Sequence, residues 1–356
     1  VIVARRRSSR ERRRPHRYFA IEEEGQSLMD AAYVNSTSTA KSSPEVATAP
    51  LKKHPARYSR GMKKLTAERL AGLGFITPLL VYLILFYLYP LIRNIDLSTH
   101  DYNVRAFVQG NAEWVGFQNH LEVLQSPSFG KAVINTVLFT FGSIAIQFAL
   151  GLALAVFFHK KFPLSPFIRG AFLIPWLLPL IVSGSVWAWM MNSDYGIINT
   201  VIQLFGGTSV DWLTSPHTAF LAVLIANIWL GIPFNLVILY SGLQNIPESL
   251  YEAASLDGAN QWKTFWKITV PLLRPVSAIT LLLGFIYTLK VVDIIWIMTK
   301  GGPGDSSLTL AVMSYRSAFG TAMPDFSTAS AIGNMLIVVA FLFGILYLRI
   351  QRRLEQ

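Results

Sequence analysis

Six predominantly apolar runs, each long enough to cross a bilayer, constrain this chain more than any other feature: about 71–92, 133–158, 169–191, 219–243, 272–298 and 329–349. A spanning helix needs roughly 20 such residues. In hydrocarbon every backbone N–H and C=O must be satisfied within the segment, so runs of this length fold as helices. The expected fold class is therefore all-α, a polytopic membrane protein with six transmembrane helices. Composition agrees: 52% of the 356 residues are hydrophobic, only 14% are charged, and the mean hydropathy is +0.42. An ordinary soluble domain of this size does not carry those values.

The net charge of +11 invites a nucleic-acid reading, but 16 of the 31 Lys and Arg precede Leu70 and most others flank apolar runs. That distribution sets topology in a membrane, and no nucleic-acid partner is expected. His159, Lys160, Lys161 and Arg169 flank the link between the second and third runs, and Arg349, Arg352 and Arg353 follow the sixth. Together with the basic N-terminal stretch they put both termini and the even-numbered loops in the cytoplasm. Segment 244–271 is then cytoplasmic, while 93–132, 192–218 and 299–328 face outward. Tyr102, Trp114, Tyr195 and Trp212 in those outer loops suit the interfacial belt. Residues 1–62, rich in Arg and then in Ser, Thr, Ala and Pro, are expected to be a disordered basic cytoplasmic tail, with 63–356 as the transmembrane domain. That tail lacks the apolar core of a signal peptide, so the first run is expected to act as the insertion signal.

Several chemistries are absent from the sequence. With no cysteine there is no disulfide, thiol nucleophile or Cys-ligated metal. Neither a phosphate-binding GxxxxGK[ST] loop nor HExxH nor GxSxG occurs, and the six His lack metal-ligand spacing. Nucleotide, metal and catalytic residues are accordingly expected to be none. The spans show no internal duplication, which argues against a complete inverted-repeat carrier. Prolines and glycines at Pro78, Pro90, Pro175, Pro179, Gly231, Pro233 and Gly284 predict kinks and close crossings.

Polar residues inside the runs are few. Lys290 and Asp293, three apart, are expected on one helical face as an intramembrane charge pair, either lining a cavity or proton path or neutralising each other structurally. Asn227, Asn235 and Asn334 at membrane depth are either interhelical glue or ligand contacts.

Between the fourth and fifth runs lies a polar, small-residue stretch, residues 244–275. Pro247 and Glu248 suit a helix start, and Leu250, Ala253, Ala254 and Asp257 recur at helical spacing. Gly258 stops that helix, and a second amphipathic piece with Trp262, Phe265, Trp266 and Ile268 runs to Pro271. The expected result is a helix, a glycine turn and a second helix projecting from the membrane. Such a knuckle transmits rigid-body motion from a soluble partner, or else lies as an amphipathic loop on the bilayer.

The run Tyr251-Glu252-Ala253-Ala254-Ser255-Leu256-Asp257-Gly258-Ala259, followed by Phe265, Ile268, Pro271 and Pro275, resembles the EAA motif of permease subunits of binding-protein-dependent ABC importers. With Gln244-Asn245-Ile246-Pro247 before it, the motif is similar to that of the carbohydrate-uptake branch. Trp114-Val115-Gly116-Phe117-Gln118-Asn119 resembles the first outward loop of these permeases, and Tyr195-Gly196-Ile197-Ile198-Asn199 with Trp212-Leu213 resembles the second. Thr299-Lys300-Gly301-Gly302-Pro303 is similar to the TxGGP signature of the maltose and glycerol-phosphate type of first permease.

The resemblance implies a half-transporter of the type I importer permease fold. A second permease subunit pairs with it, two ATPase subunits carrying ATP and Mg dock beneath, and an extracytoplasmic solute-binding protein delivers a sugar. It further implies that Glu252, Ala253, Ala254, Asp257, Gly258 and Ala259 form the coupling helix read by the ATPase. By motif position the substrate pathway falls on Leu230, Gly231, Phe234, Gly284, Tyr287, Thr288 and Val291. Where the maltose-type pattern has amides after the motif, this chain has Thr288 and Val291, which argues against maltose itself. Glycerol phosphate or another non-sugar on the same scaffold, a proton-driven carrier using Lys290 and Asp293, and a membrane enzyme are the competing readings. The expected setting is the plasma membrane of a prokaryote, in contact with lipid.

Overall fold

A computed structural model of the protein describes residues 59–354 apart from 103 and 161. It divides into two units, Val1–Ala71 and Gly72–Gln356. Of the first, the described part is helical backbone from Ser59 onward. The expected disordered tail thus lies outside the described residues except for 59–62, which are helical. The good helix formers Lys63, Lys64, Ala67, Glu68 and Arg69 extend the first spanning helix beyond its apolar part. All packing described below is within the second unit.

The regular elements among the described residues are all helices, apart from one isolated bridge between His100 and Trp114, with five helices long and apolar enough to cross a membrane and a sixth span if one bent pair is counted. The second span is Phe129–His159, the fourth Ala219–Gln244 and the sixth Phe326–Leu354. The second and sixth exceed their apolar runs at both ends, and the fourth exceeds its run by Gln244 alone.

Three spans depart from straight helices, each at a proline or a β-branched pair. The first runs Ser59–Leu83, opens into a π turn at Ile84–Leu88 and continues as Tyr89–Thr99. The fifth does the same: Gln261–Thr264, a π turn at Phe265–Thr269, then Val270–Leu289. Pro90 and Pro271 each stand two residues past a π turn. The wider turn relieves the clash between a proline ring and the carbonyl four residues back. The expectation that the amphipathic piece ends at Pro271 is therefore overturned: the piece is the first part of the fifth span. The third span is broken, with Ser165–Leu177 and Leu180–Met190 meeting at 96°. Leu178, before Pro179, is extended at ψ 142°, the conformation forced on a residue preceding proline.

The fifth span also stops early, at Leu289, and a short helix resumes at Asp293–Met298. Lys290 and Asp293 therefore do not share a helical face. Val291 and Val292, β-branched and poor helix formers, lie in the gap, and Asp293 restarts the helix as the acid in its first turn.

The second and fourth spans form the spine. A Cβ on Gly151 would overlap Asn235 and crowd the Leu236 backbone, so only glycine lets the two helices cross this closely. One apolar core, including Phe139, Val223, Ala226, Ile294, Ile295, Leu308 and Ile332, lies beside the outer loops; the other, with Phe158, Leu236, Leu239, Leu243, Ile246 and Leu273, lies beside segment 244–271. The first span joins only at its far end, where Asn334 Nδ2 donates to Ser98 Oγ at 2.8 Å and Asn94 Nδ2 donates to Asn334 Oδ1 at 2.5 Å. Asn334 is thus interhelical glue.

Candidate functional site

Three arrangements concentrate the polar chemistry of the chain. The first is the knuckle between the fourth and fifth spans. Helix Glu248–Leu256 ends in a Schellman turn: Asp257 N–H donates to Ala253 O at 3.0 Å, Gly258 N–H to Ser255 O at 3.1 Å and Ala259 N–H to Ala254 O at 2.9 Å. Gly258 sits at φ +71°, which glycine adopts without the Cβ penalty other residues meet there. Asn260 then caps the fifth span, its Oδ1 accepting from Lys263 N–H at 2.9 Å. The knuckle is tied to the bundle on its inner side. Ala254 is buried, Tyr251 packs on the core around Leu243 and Leu273, and Tyr251 Oη lies 3.2 Å from Thr269 Oγ1, joining the two arms. Its outer side is open: Glu252, Ala253, Asp257 and Gly258 are exposed and Ala259 is half-buried. Leu256 is 88% and Trp262 69% exposed. Among the described residues neither Glu252 nor Asp257 has an ion-pair partner. The turn thus leaves apolar and acidic side chains uncovered by the rest of the described chain.

The second arrangement is a cavity of about 520 Å³ between the second, third, fourth and fifth spans. All of Leu230, Gly231, Phe234, Gly284, Tyr287, Thr288 and Val291 line it, together with Lys290 and Asp293. The helix break at 290–292 brings the last two there, and Lys290 Nζ lies 5.4 Å from the centre of the Tyr287 ring, within cation–π range. Trp176, Phe234 and Tyr287 make an aromatic wall, with Phe234 set edge-on to Tyr287 at 5.7 Å and tilted against Trp176 at 6.1 Å.

Two polar residues complete the cavity. Gln147, on the second span, is buried and donates from Nε2 to Asn227 O at 2.9 Å, while Asn227 Nδ2 donates to Ser143 Oγ at 2.9 Å. Sequence reasoning missed Gln147, although a lone amide in the middle of an apolar run was the available signal. Gly231 faces it so closely that a Cβ there would overlap the Gln147 amide. Asn235 points away: its Nδ2 bonds back to Gly231 O at 2.9 Å within its own helix. The cavity thus offers apolar ring faces, a fixed amide pair, one cation and one carboxylate, a set suited to a polar, hydroxyl-rich solute of modest size.

The third arrangement braces the outer loops. Asp305, at φ +61° after Gly301-Gly302-Pro303-Gly304, accepts from Ser128 Oγ at 2.5 Å and from Arg316 Nη1 at 2.7 Å. Asn135 Nδ2 donates to the carbonyls of Asp305, Ser306 and Leu308 at 3.0–3.2 Å, and Lys131 Nζ donates to Gly304 O at 2.8 Å. The TxGGP loop is thereby fastened to the second span. In the preceding outer loop Asn199 does the same work. Its Nδ2 donates to Ser209 Oγ and Val210 O, and its Oδ1 accepts from Trp212 Nε1 at 3.1 Å. Trp212 is therefore half-buried and tied into the loop through its indole N–H.

Burial pushes the Asp305 carboxyl up, but the hydrogen bonds from Ser128 and Arg316 and the nearby charges of Arg316 and Lys131 outweigh it and hold the group below its ordinary range. A depressed carboxylate stabilises the fold fully above its unfolded pKa, and the contribution disappears as pH falls through the lower folded value. Asp305→Asn is therefore expected to lower thermal stability at neutral pH, by about 2 kcal/mol for a charged hydrogen-bonded group. The gap between the melting temperatures of wild type and variant should close below about pH 4. A gap that stays constant into acid would show that the charge is not what matters.

Residues 147–356 match the family described as binding-protein-dependent transport system inner membrane component. The chain is similar to the trehalose/maltose transport system permease protein MalF of Thermococcus litoralis, with 35% identity over 80% of this chain and 95% of the relative. It is also similar to the sulfoquinovosyl glycerol transport system permease protein SmoG of Agrobacterium fabrum, with 33% identity over 80% of this chain and 91% of the relative. Among solved structures, the fold matches a chain of a bacterial ABC transporter involved in import of the acidic polysaccharide alginate. There the TM-score is 0.71 at 22% identity, over 84% of this chain and 100% of that one.

Proposed function

This chain belongs to the family of binding-protein-dependent transport system inner membrane components, a multi-pass permease subunit without a catalytic domain, and we propose that it passes a sugar or oligosaccharide into a prokaryotic cytoplasm. The observation that carries the reading is the single cavity shared by Leu230, Gly231, Phe234, Gly284, Tyr287, Thr288 and Val291. Relatives named for trehalose or maltose, for sulfoquinovosyl glycerol and for lactose support a carbohydrate as its occupant. Ring faces such as those of Phe234 and Tyr287 stack on the apolar face of a pyranose, and the Tyr287 hydroxyl and the Gln147 amide serve its hydroxyls.

In this reading both termini are cytoplasmic, as the basic residues at the inner ends of the spans require. Glu252, Ala253, Ala254, Asp257, Gly258 and Ala259 dock on one of two ATPase subunits, which hold the ATP and Mg. A second permease completes the channel, and an extracytoplasmic binding protein delivers the sugar. A bacterial alginate ABC transporter of similar fold, solved in complex with an alginate pentasaccharide-bound periplasmic protein, supports that arrangement. Nucleotide-driven closure of the ATPase pair moves the knuckle, and the bundle alternates between inward-open and outward-open states.

The test is uptake of labelled oligosaccharide by proteoliposomes containing the two permeases, the ATPase and the binding protein. Tyr287→Ala is expected to cut uptake about tenfold, the loss of an aromatic contact worth about 1.5 kcal/mol, without changing sugar affinity of the isolated binding protein. Full uptake by the variant would remove the cavity from the sugar path. Asp293→Asn uptake should remain ATP-dependent and insensitive to a protonophore at constant ATP; inhibition by the protonophore would favour a proton-driven carrier instead.

A further inference from the structure

A second and larger cavity, about 910 Å³, opens at the opposite end of the spine from the outer loops, where the second and fourth spans end and the third begins. Lys160 and Arg169 line it together with Phe158, Phe162 and Tyr240. The Arg169 guanidinium lies over the Tyr240 ring, its carbon 4.1 Å from the ring centre, and its N–H groups have no acceptor among the described residues. Lys160 has no ion-pair partner among them either. One carboxylate, Glu248, stands at the edge in the first turn of its own helix, where the helix dipole partly offsets its charge.

Exposed apolar side chains neighbour its lining residues in the chain: Phe157, at the end of the second span, Leu164, on the link, and Phe167, at the start of the third span, are 54%, 70% and 77% exposed, and Phe157 packs against the lining residue Phe162 at 5.2 Å. Cations lining a cavity at the ends of the spans, with exposed apolar side chains beside it, match a molecule that carries a phosphate and acyl chains together. We propose that this cavity binds the phosphate headgroup of an anionic phospholipid of the inner leaflet, its acyl chains lying along Phe157, Leu164 and Phe167. The inference rests on the proposed orientation, in which this end is cytoplasmic. Charge complementarity selects an anionic lipid over a zwitterionic one: an anionic headgroup gains from both cations with no ammonium to repel them. The cavity adjoins the knuckle through Tyr251 and Glu248, so an occupied site would brace the root of the coupling segment.

The experiment uses the assembled importer, extracted from membranes of mixed phosphatidylglycerol and phosphatidylethanolamine and read by native mass spectrometry for retained lipid. Each cation is worth about a fivefold change beside an anionic headgroup, so Lys160→Gln/Arg169→Gln is expected to lose retained phosphatidylglycerol about thirtyfold. Lys160→Arg should retain it, which separates a charge effect from misfolding; co-purification of the ATPase checks assembly of both. Equal retention by the double variant overturns the proposal. Displacement of the lipid by millimolar inorganic phosphate alone would make this a free-anion site, and disulfide capture of Lys160→Cys by an ATPase cysteine would mean a protein segment fills it; either result overturns it too. Lipid retention is scored without reference to uptake, so a complex that binds phosphatidylglycerol yet imports no sugar refutes the transport reading and leaves this one standing.

Discussion

Gly258→Pro is expected to abolish ATP-driven uptake, lowering it about a hundredfold. The estimate follows from a local cost of about 3 kcal/mol for proline where it does not fit. Gly258 occupies φ +71° and donates its N–H to Ser255 O at 3.1 Å. Proline can supply neither, because its ring fixes φ near −65° and it has no N–H. The Schellman turn would open, and Glu252 and Asp257 would leave the surface they now share. Gly258→Ala keeps the N–H and meets only open space around its Cβ, so it bears the left-handed penalty alone, about 1–2 kcal/mol, and should lose roughly tenfold. Proteoliposome uptake measures both, with ATPase co-purification as the readout of docking. Normal transport by the proline variant would show that the knuckle couples nothing. Glu252→Arg, with the turn intact, is expected to weaken ATPase co-purification through charge reversal alone.

The second large effect is expected at the crossing of the second and fourth spans, where two glycines that look alike in sequence should behave differently. A side chain at Gly151 meets the Asn235 Cβ and the Leu236 backbone. No rotamer relieves that, so Gly151→Val must separate the helices, and overpacking of this kind costs about 3 kcal/mol. Loss of folded protein after solubilisation and a large fall in melting temperature are expected. At Gly231 the obstacle is only the end of the Gln147 side chain, which can swing aside. Gly231→Ala should therefore fold, but with the Gln147 amide broken from Asn227 O and pushed into the cavity, and uptake should fall while the melting temperature barely moves. Adding Gln147→Ala to Gly231→Ala should restore part of the uptake. An unchanged melting temperature for Gly151→Val would contradict the packing of these two spans.

Much of this architecture was legible in the sequence because the relevant signals are local. Apolar run length located the spans, and Gly258 between two amphipathic stretches located the turn. What stayed hidden depends on partners distant in the chain. Nothing around Asn135 announces three carbonyls near residue 305, and nothing around Asp305 announces Ser128 and Arg316. Helix breaks were half legible: Pro179 marks the bend of the third span, but the gap at 290–292 has no proline or glycine. Assigning Lys290 and Asp293 to one helical face assumed continuity that Val291 and Val292 deny. The π turns were invisible because the sequence shows the prolines and not how the preceding turn adapts to them. Gln147 lies in the middle of an apolar run, a signal the sequence carries, yet its placement against Gly231 is a property of the helix crossing.

The continuity of Gln261–Leu289 gives the fifth span a mechanical character. Trp262 and Thr288 belong to one rod, separated by roughly 40 Å at the helical rise of 1.5 Å per residue. Tilting the exposed foot at Trp262 swings the far end, with Tyr287 and Thr288, through an arc set by wherever the rod is clamped. Leu273, buried in the core against the fourth span, is the natural fulcrum. It lies nearer the foot, so the stroke at the far end exceeds the push. The interruption at Lys290 ends the lever, leaving the braced outer loops still while the wall of the cavity moves.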